Sequence, residues 1–214
     1  MKKIIFILIL ATTFCSILVA QEKDKYLDIK VTWGVKAEVN ISGFFVSGMS
    51  EISSKMRTGG TGGGFINVEL TKLFALQGEI LWHYKSSDFI RQGNKGDFQY
   101  WGTEIPMYAM FRWNLKNDRR VYIGIGPYGE FGYSAKLKRA GKTIDLYEKD
   151  KATELSAMED FNSGFGVTAG YEFANGLQIN VGYKVSITNV LDANSSSIKM
   201  HPETVSIGLG YRFK

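Results

Sequence analysis

From Phe161 to Thr188 the chain alternates residue by residue between two unlike sets of side chains, and this constrains the fold more than any other stretch. Phe161, Phe165, Val167, Ala169, Tyr171 and Phe173, then Leu177, Ile179, Val181, Tyr183, Val185 and Ile187, hold the odd positions. The even positions carry Asn162, Gly164, Gly166, Thr168, Gly170 and Glu172, then Gln178, Asn180, Gly182, Lys184, Ser186 and Thr188. A period of two belongs to a strand whose two faces meet different surroundings. Phe173 and Leu177 share parity, so Ala174-Asn175-Gly176 reads as a three-residue hairpin turn, with Gly176 in the left-handed position it requires. A hairpin of two such long strands is the repeating unit of a transmembrane β-barrel.

The same pattern recurs along the chain. Ile29 to Ile41 alternates throughout, and Phe65 to Leu70 and Phe74 to Tyr84 form a pair around Thr71-Lys72-Leu73. Phe98 to Trp113 alternates except where Pro106 interrupts, which predicts a bulge. Val121 to Leu137 and Thr204 to Phe213 complete an expected set of eight strands. Between them stand the segments 42–63, 86–97, 138–160 and 191–199, read as long loops; TGGTGGG (58–64) marks the first as a flexible tip, and 148–158 has room for a helical turn or two. Long and short connections then alternate, as in an up-and-down barrel with short turns on the periplasmic side. The expected fold is all-β: an eight-stranded antiparallel up-and-down transmembrane β-barrel over 29–214. Lipid is expected on the odd residues of every strand except 65–70 and 74–84, where it takes the even ones.

Composition adds limits. Lys2 and Lys3 precede an apolar run from Ile4 to Ala20, the n- and h-regions of a signal peptide expected to be cleaved after Ala20; 21–28 follows as a short periplasmic leader. The one cysteine, Cys15, falls inside that peptide, so the mature chain has no disulfide, thiol catalyst or cysteine metal site. Setting Lys2 and Lys3 aside from the 26 basic residues leaves 24 against 21 acidic, close to balance, with no basic cluster for nucleic acid. Past Ala20 no apolar run reaches the length of about 18 residues that a spanning helix needs. Aromatic residues collect at the strand ends. Phe74, Phe111, Trp113, Tyr171, Phe173, Tyr211 and Phe213 lie at the expected periplasmic ends, and Trp82, Tyr84, Phe131, Tyr133 and Phe161 near the outer ones, as in the two girdles of lipid-facing barrels.

Several segments carry a family resemblance: Gly126-Pro127-Tyr128-Gly129, Asp160-Phe161-Asn162-Ser163-Gly164, Gly170-Tyr171-Glu172-Phe173, the Leu76–Leu81 stretch, Glu104-Ile105-Pro106, and the ending Gly208-Leu209-Gly210-Tyr211-Arg212-Phe213. In order and spacing they resemble the outer-membrane β-barrel domain often labelled porin family or PorT-like, over nearly the whole mature chain. Members usually end on an aromatic residue, whereas here Lys214 follows Phe213. The resemblance implies the fold and the outer membrane of a Gram-negative bacterium; outer-membrane lipid and lipopolysaccharide, the barrel assembly machinery as a partner, and a monomer are the expectations that go with that reading. It carries no shared catalytic residues and no cofactor.

The expected inner face is charged. Its acids are Glu38, Glu69, Glu79, Glu104, Glu130 and Glu172; its bases are Lys30, Lys36, Arg112, Lys184 and Arg212. Eight strands leave an interior just wide enough for side chains, and unpaired buried charge is costly. A near-balanced set therefore predicts a paired network filling the lumen. Gly124-Ile-Gly126-Pro-Tyr-Gly129 fits G-x-G-x-x-G but continues as strand, so its glycines read as room for Tyr108, Tyr122 or Tyr128 rather than as a nucleotide site. His83 and Glu79 are too far apart along a strand to share a metal unaided. The functional expectation is an integral outer-membrane barrel of structural, binding or envelope-integrity type, not an enzyme, with segments 42–63 and 138–160 offering recognition surfaces for an extracellular ligand or protein. Three alternatives stand beside it: a narrow pore for ions or small solutes, a lipid-modifying enzyme using His83 with Ser86 or Ser87, and a soluble lipophile-binding barrel.

Overall fold

The computed structural model describes residues 29–48, 52–91, 94–149, 156–191 and 199–213. The expected signal peptide and leader, part of the segment read as helical turns, and Lys214 lie outside them. Among the described residues nine strands form: β1 Lys30–Ser47, β2 Ile52–Glu69, β3 Phe74–Arg91, β4 Asn94–Asn114, β5 Arg120–Arg139, β6 Lys142–Asp145, β7 Phe161–Glu172, β8 Leu177–Ser186 and β9 Lys199–Arg212. Eight of them close into an antiparallel ring, β1-β2-β3-β4-β5-β7-β8-β9 and back to β1. The short β6 pairs with the far end of β5. Closure gives every long strand two partners and leaves no edge.

The turn at the heart of the opening hairpin forms as its parity requires. Phe173 N donates to Leu177 O at 2.8 Å, Gly176 N donates to Phe173 O at 2.9 Å, and Gly176 has φ 91°. The register continues from Glu172↔Gln178 to Gly164↔Ser186.

The outer ends of the strands differ from expectation. Segment 42–63 is mostly barrel wall: β1 runs to Ser47, β2 begins at Ile52, and TGGTGGG pairs on both sides, Gly63 with Lys36 and with Leu81. Segment 86–97 likewise belongs to β3 and β4, and β9 starts ahead of Thr204. Within 138–160, β5 turns at Ala140-Gly141, both at positive φ, into β6. Alternation is imposed by lipid on one face; where the wall rises beyond lipid, both faces accept polar or small residues and the period of two fades. The glycine run packs because it lacks side chains. A Cβ on Gly63 would lie 2.0 Å from the Ile80 carbonyl oxygen.

Pro106 produces no bulge. Its buried ring sits inside β4, and the registers on either side of it are continuous. The shift lies higher, where Trp101↔Ser134 is followed by Gly102↔Gly132 and Tyr133 becomes the extra residue. Beyond it the parity of β5 inverts. Ala135 and Leu137, expected toward lipid, turn inward onto Phe44, Phe98 and Met158. Phe161 is also buried, its ring 5.0 Å from Phe131.

Elsewhere the outward set is as read. Val31, Trp33, Trp82, Ile125, Ile207 and Leu209 are each more than half exposed. A monomer in water does not carry a belt of large apolar side chains on all sides; a barrel in lipid does. From Phe74 to Tyr84 the strand climbs about 33 Å, or about 25 Å along the axis at a tilt of about 40°, the height of a lipid-facing band. Above Tyr84 the same face turns polar. Asp88 meets Arg57 at 3.2 Å and Lys95 at 2.8 Å, and Arg57 also reaches Asp97 at 2.5 Å.

Candidate functional site

The barrel interior gathers the charged side chains into three linked groups. In the periplasmic third, Arg112 Nη1 contacts Glu69 Oε1 at 2.6 Å, and Arg120 bridges Glu69 at 3.2 Å to Glu172 at 3.4 Å. Arg212 Nε donates to Glu172 Oε2 at 3.0 Å, and Gln178 Nε2 donates to the same oxygen at 2.8 Å. Arg112 Nη1 also donates to Asn67 Oδ1 at 3.4 Å, while Asn67 Nδ2 donates to Gln77 and Gln77 Nε2 to Glu79. In the second group Lys36 Nζ lies 2.7 Å from Glu38 and 3.2 Å from Glu79. Higher up, Lys184 Nζ is bound to Glu104 Oε1. Lys85 Nζ stands 3.8 Å from Glu104 Oε2 and 2.8 Å from Glu130 Oε1, and His83 Nε2 lies 2.7 Å from that same Glu130 oxygen.

Of the interior residues named from the sequence, ten are brought together in this way. Lys30 is the exception: at the first position of β1 it is exposed, on the inward parity but at the solvated rim. Lys85 and Arg120 take part although the sequence reading left them out. Lys85 shares parity with His83 but lies one residue past the expected strand end at Tyr84, and Arg120 one residue ahead of the expected start at Val121. Both errors lie at strand boundaries, where sequence patterns are weakest.

These charges are deeply placed. Glu79, Glu104, Glu130 and Glu172 are each at most 2% exposed. Taking an ion this far from water costs several kcal/mol unless partners compensate, and here each acid meets a base directly. Uncharged bulk fills the space between the groups. Tyr108, Tyr122 and Tyr128 are buried in the interior, facing glycines on β7. A Cβ on Gly170 would lie 2.4 Å from the Tyr122 ring, so the narrow barrel admits that ring only opposite glycine.

His83 is no surface base. It is 2% exposed, stacks on Tyr100 with ring centroids 5.6 Å apart, and points at Glu130. Ser86 lies on the opposite parity and donates to the Thr58 carbonyl at 3.0 Å; Ser87 shares the parity of His83, but its hydroxyl makes no hydrogen bond to the imidazole, so neither serine forms a pair with it. Toward the periplasmic rim the aromatic residues cluster: Phe74–Phe111 centroids are 5.5 Å apart, Tyr171–Phe173 4.8 Å and Tyr211–Phe213 5.2 Å, with Trp33 joining Phe213 at 4.1 Å. Trp113 is half exposed.

Residues 7–213 match the family described as outer membrane protein beta-barrel domain. No curated protein matches the chain. Among solved structures, the outer membrane protein OprG from Pseudomonas aeruginosa is similar with a TM-score of 0.52 at 13% identity, over 87% of this chain and 96% of that one. Neisserial surface protein A has a TM-score of 0.48 at 12% identity, over 86% and 99%. Ail, the attachment invasion locus protein of Yersinia pestis, solved with the heparin analogue sucrose octasulfate, has 0.46 at 16% identity, again over 86% and 99%. At 13% identity the likeness to OprG is one of fold.

Proposed function

The chain belongs to the outer membrane protein beta-barrel domain family, and from that premise we propose that it is a closed, non-conducting and non-enzymatic barrel of the bacterial outer membrane, with a structural or binding role. Its location follows from the family and from the belt of exposed apolar side chains. The observation that carries the closed-lumen reading is the ladder of buried ion pairs from Glu69 through Lys36 to Glu130. Its members come from strands that are not neighbours in the ring: Lys184 of β8 reaches Glu104 of β4 and Arg120 of β5 reaches Glu69 of β2, each three strands away, while Lys85 of β3 reaches past β4 to Glu130 of β5. Side chains that bond across the bore occupy it.

The network and the aromatic residues then have separate roles. Ion pairs hold the wall in one shape from within, while Phe74, Phe111, Trp113, Tyr171, Phe173, Tyr211 and Phe213 sit at the inner lipid interface. Recognition moves from the loops expected at 42–63 to the extended wall itself, where the Arg57–Asp88–Lys95–Asp97 cluster faces out above the lipid band, and to the 140–160 connection. Lipid and lipopolysaccharide are the natural neighbours of this surface, the assembly machinery its route into the membrane, and a monomer its form. The burial of His83 and its distance in role from Ser86 support a barrel without lipid chemistry. Liposome swelling in small sugars tests the reading: vesicles carrying the refolded protein are expected to swell no faster than empty ones, and sugar uptake that rises with protein content would refute it.

A further inference from the structure

The outer mouth of the barrel holds a cavity that the ion-pair ladder does not use. Above the charged interior, the inward face changes to apolar side chains. Phe44, Phe98, Leu137, Met158, Val190 and Met200 pack together there. They line a cup of about 220 Å3, with Arg139 as its one charged lining residue. Below it, and sharing Phe44, Phe98 and Met158 as walls, lies a chamber of about 20 Å3, room for one water-sized group. The floor of the chamber is polar: Ser87, Asn162, Lys85 and Glu130 line it.

Three of those floor residues carry a buried polar atom without a hydrogen-bond partner: Ser87 Oγ, Asn162 Oδ1 and Glu130 Oε2, in residues 1%, 4% and 1% exposed, and the Tyr100 hydroxyl on the chamber wall is likewise unpartnered. Buried polar atoms without partners are uncommon and call for a reason. An apolar cup leading to a small chamber with an unmatched hydroxyl and an unmatched amide oxygen is the complement of an amphiphile. Asn162 Oδ1 can only accept, so the head must donate a hydrogen bond. The Glu130 carboxylate on the same floor disfavours an anionic head, and Lys85 is already engaged with Glu130 and Glu104. The body is limited by the cup: a cavity of about 150 Å3 suffices for a benzene ring, so one of this size takes a single ring or a short alkyl chain.

We propose that the outer mouth binds a small neutral amphiphile, a short-chain or one-ring alcohol, with its apolar body in the Phe44–Met200 cup and its hydroxyl between Ser87 and Asn162. The site stands independently of whether the lumen below conducts.

The test uses the full barrel in lipid nanodiscs with 13C-methyl methionine, titrated with 1-octanol, sodium octanoate and octane. Octanol is expected to shift the Met158 and Met200 methyls saturably and to leave Met110, buried lower in the interior, unchanged. Octanoate and octane are expected to bind at least about fivefold more weakly, the worth of one hydrogen bond. Ser87→Ala and Asn162→Leu should each weaken octanol about fivefold with no change for octane. Ala157→Trp, at an exposed position on the cup, should block all three ligands without disturbing the barrel. Non-saturating shifts, equal movement at Met110, or octanoate binding more tightly than octanol would overturn the proposal.

Discussion

Removing the charge of Glu104 separates a filled lumen from a wet one. Glu104 is 1% exposed and Lys184 9% exposed, and the two are bound to each other; Lys85, 3.8 Å away, has Glu130 as a second partner at 2.8 Å. In Glu104→Gln the shape is kept and Lys184 loses its carboxylate. At an effective dielectric of about 20, a pair about 4 Å apart is worth about 4 kcal/mol, and breaking a buried pair typically costs about 3–5 kcal/mol. Were the bore filled with water, Lys184 would be hydrated and the loss would be about 0–1 kcal/mol, as for surface pairs. Adding Lys184→Met removes the orphaned charge, and the double variant is expected within about 1.5 kcal/mol of the parent. The assay is reversible urea unfolding in lipid vesicles, followed by tryptophan emission; all four tryptophans, Trp33, Trp82, Trp101 and Trp113, face outward and report loss of lipid contact. A Glu104→Gln loss below about 1 kcal/mol, with no recovery in the double variant, would refute the argument that the interior is dry and paired.

Two further predictions concern the wall. Gly63→Ala drives a Cβ to within 2.0 Å of the Ile80 carbonyl oxygen, whereas a Cβ on Gly60 meets nothing within 4 Å; Gly63→Ala should cost at least about 2 kcal/mol or abolish refolding, and Gly60→Ala should be neutral or stabilise by up to about 1 kcal/mol in the same unfolding assay. Ile207, 58% exposed on the outer face of β9, should lose about 2–4 kcal/mol as Ile207→Arg when the barrel is in lipid; a loss under about 1 kcal/mol would place that face outside the hydrocarbon.

The lipid-spanning part of this fold was legible because lipid writes a period of two into every strand that crosses it. The hairpin from Phe161 to Thr188, its three-residue turn and the inward placement of Glu79, Glu104, Glu130 and Glu172 all follow from parity. Where the wall leaves lipid the signal stops. Lys85 falls just past that point. The TGGTGGG run resembles a loop for another reason: its glycines pair with β1 and with Ile80 to Tyr84 of β3 inside the lipid-facing band, but carry no side chains to alternate. The bulge at Tyr133 was hidden for a different reason: one extra residue inverts the parity of Ala135 and Leu137 without altering their apolar character. The apolar cup at the mouth was invisible on the same account, since its members come from strand ends read as lipid-facing or as loops.

Single-channel recording in planar bilayers tests the closed lumen most directly. The refolded barrel is expected to give no lasting conductance at either polarity, and Glu104→Ala, which removes the carboxylate that Lys184 and Lys85 both face, to give at most brief flickers. A steady unit conductance from the unaltered protein, scaling with salt, would contradict the account.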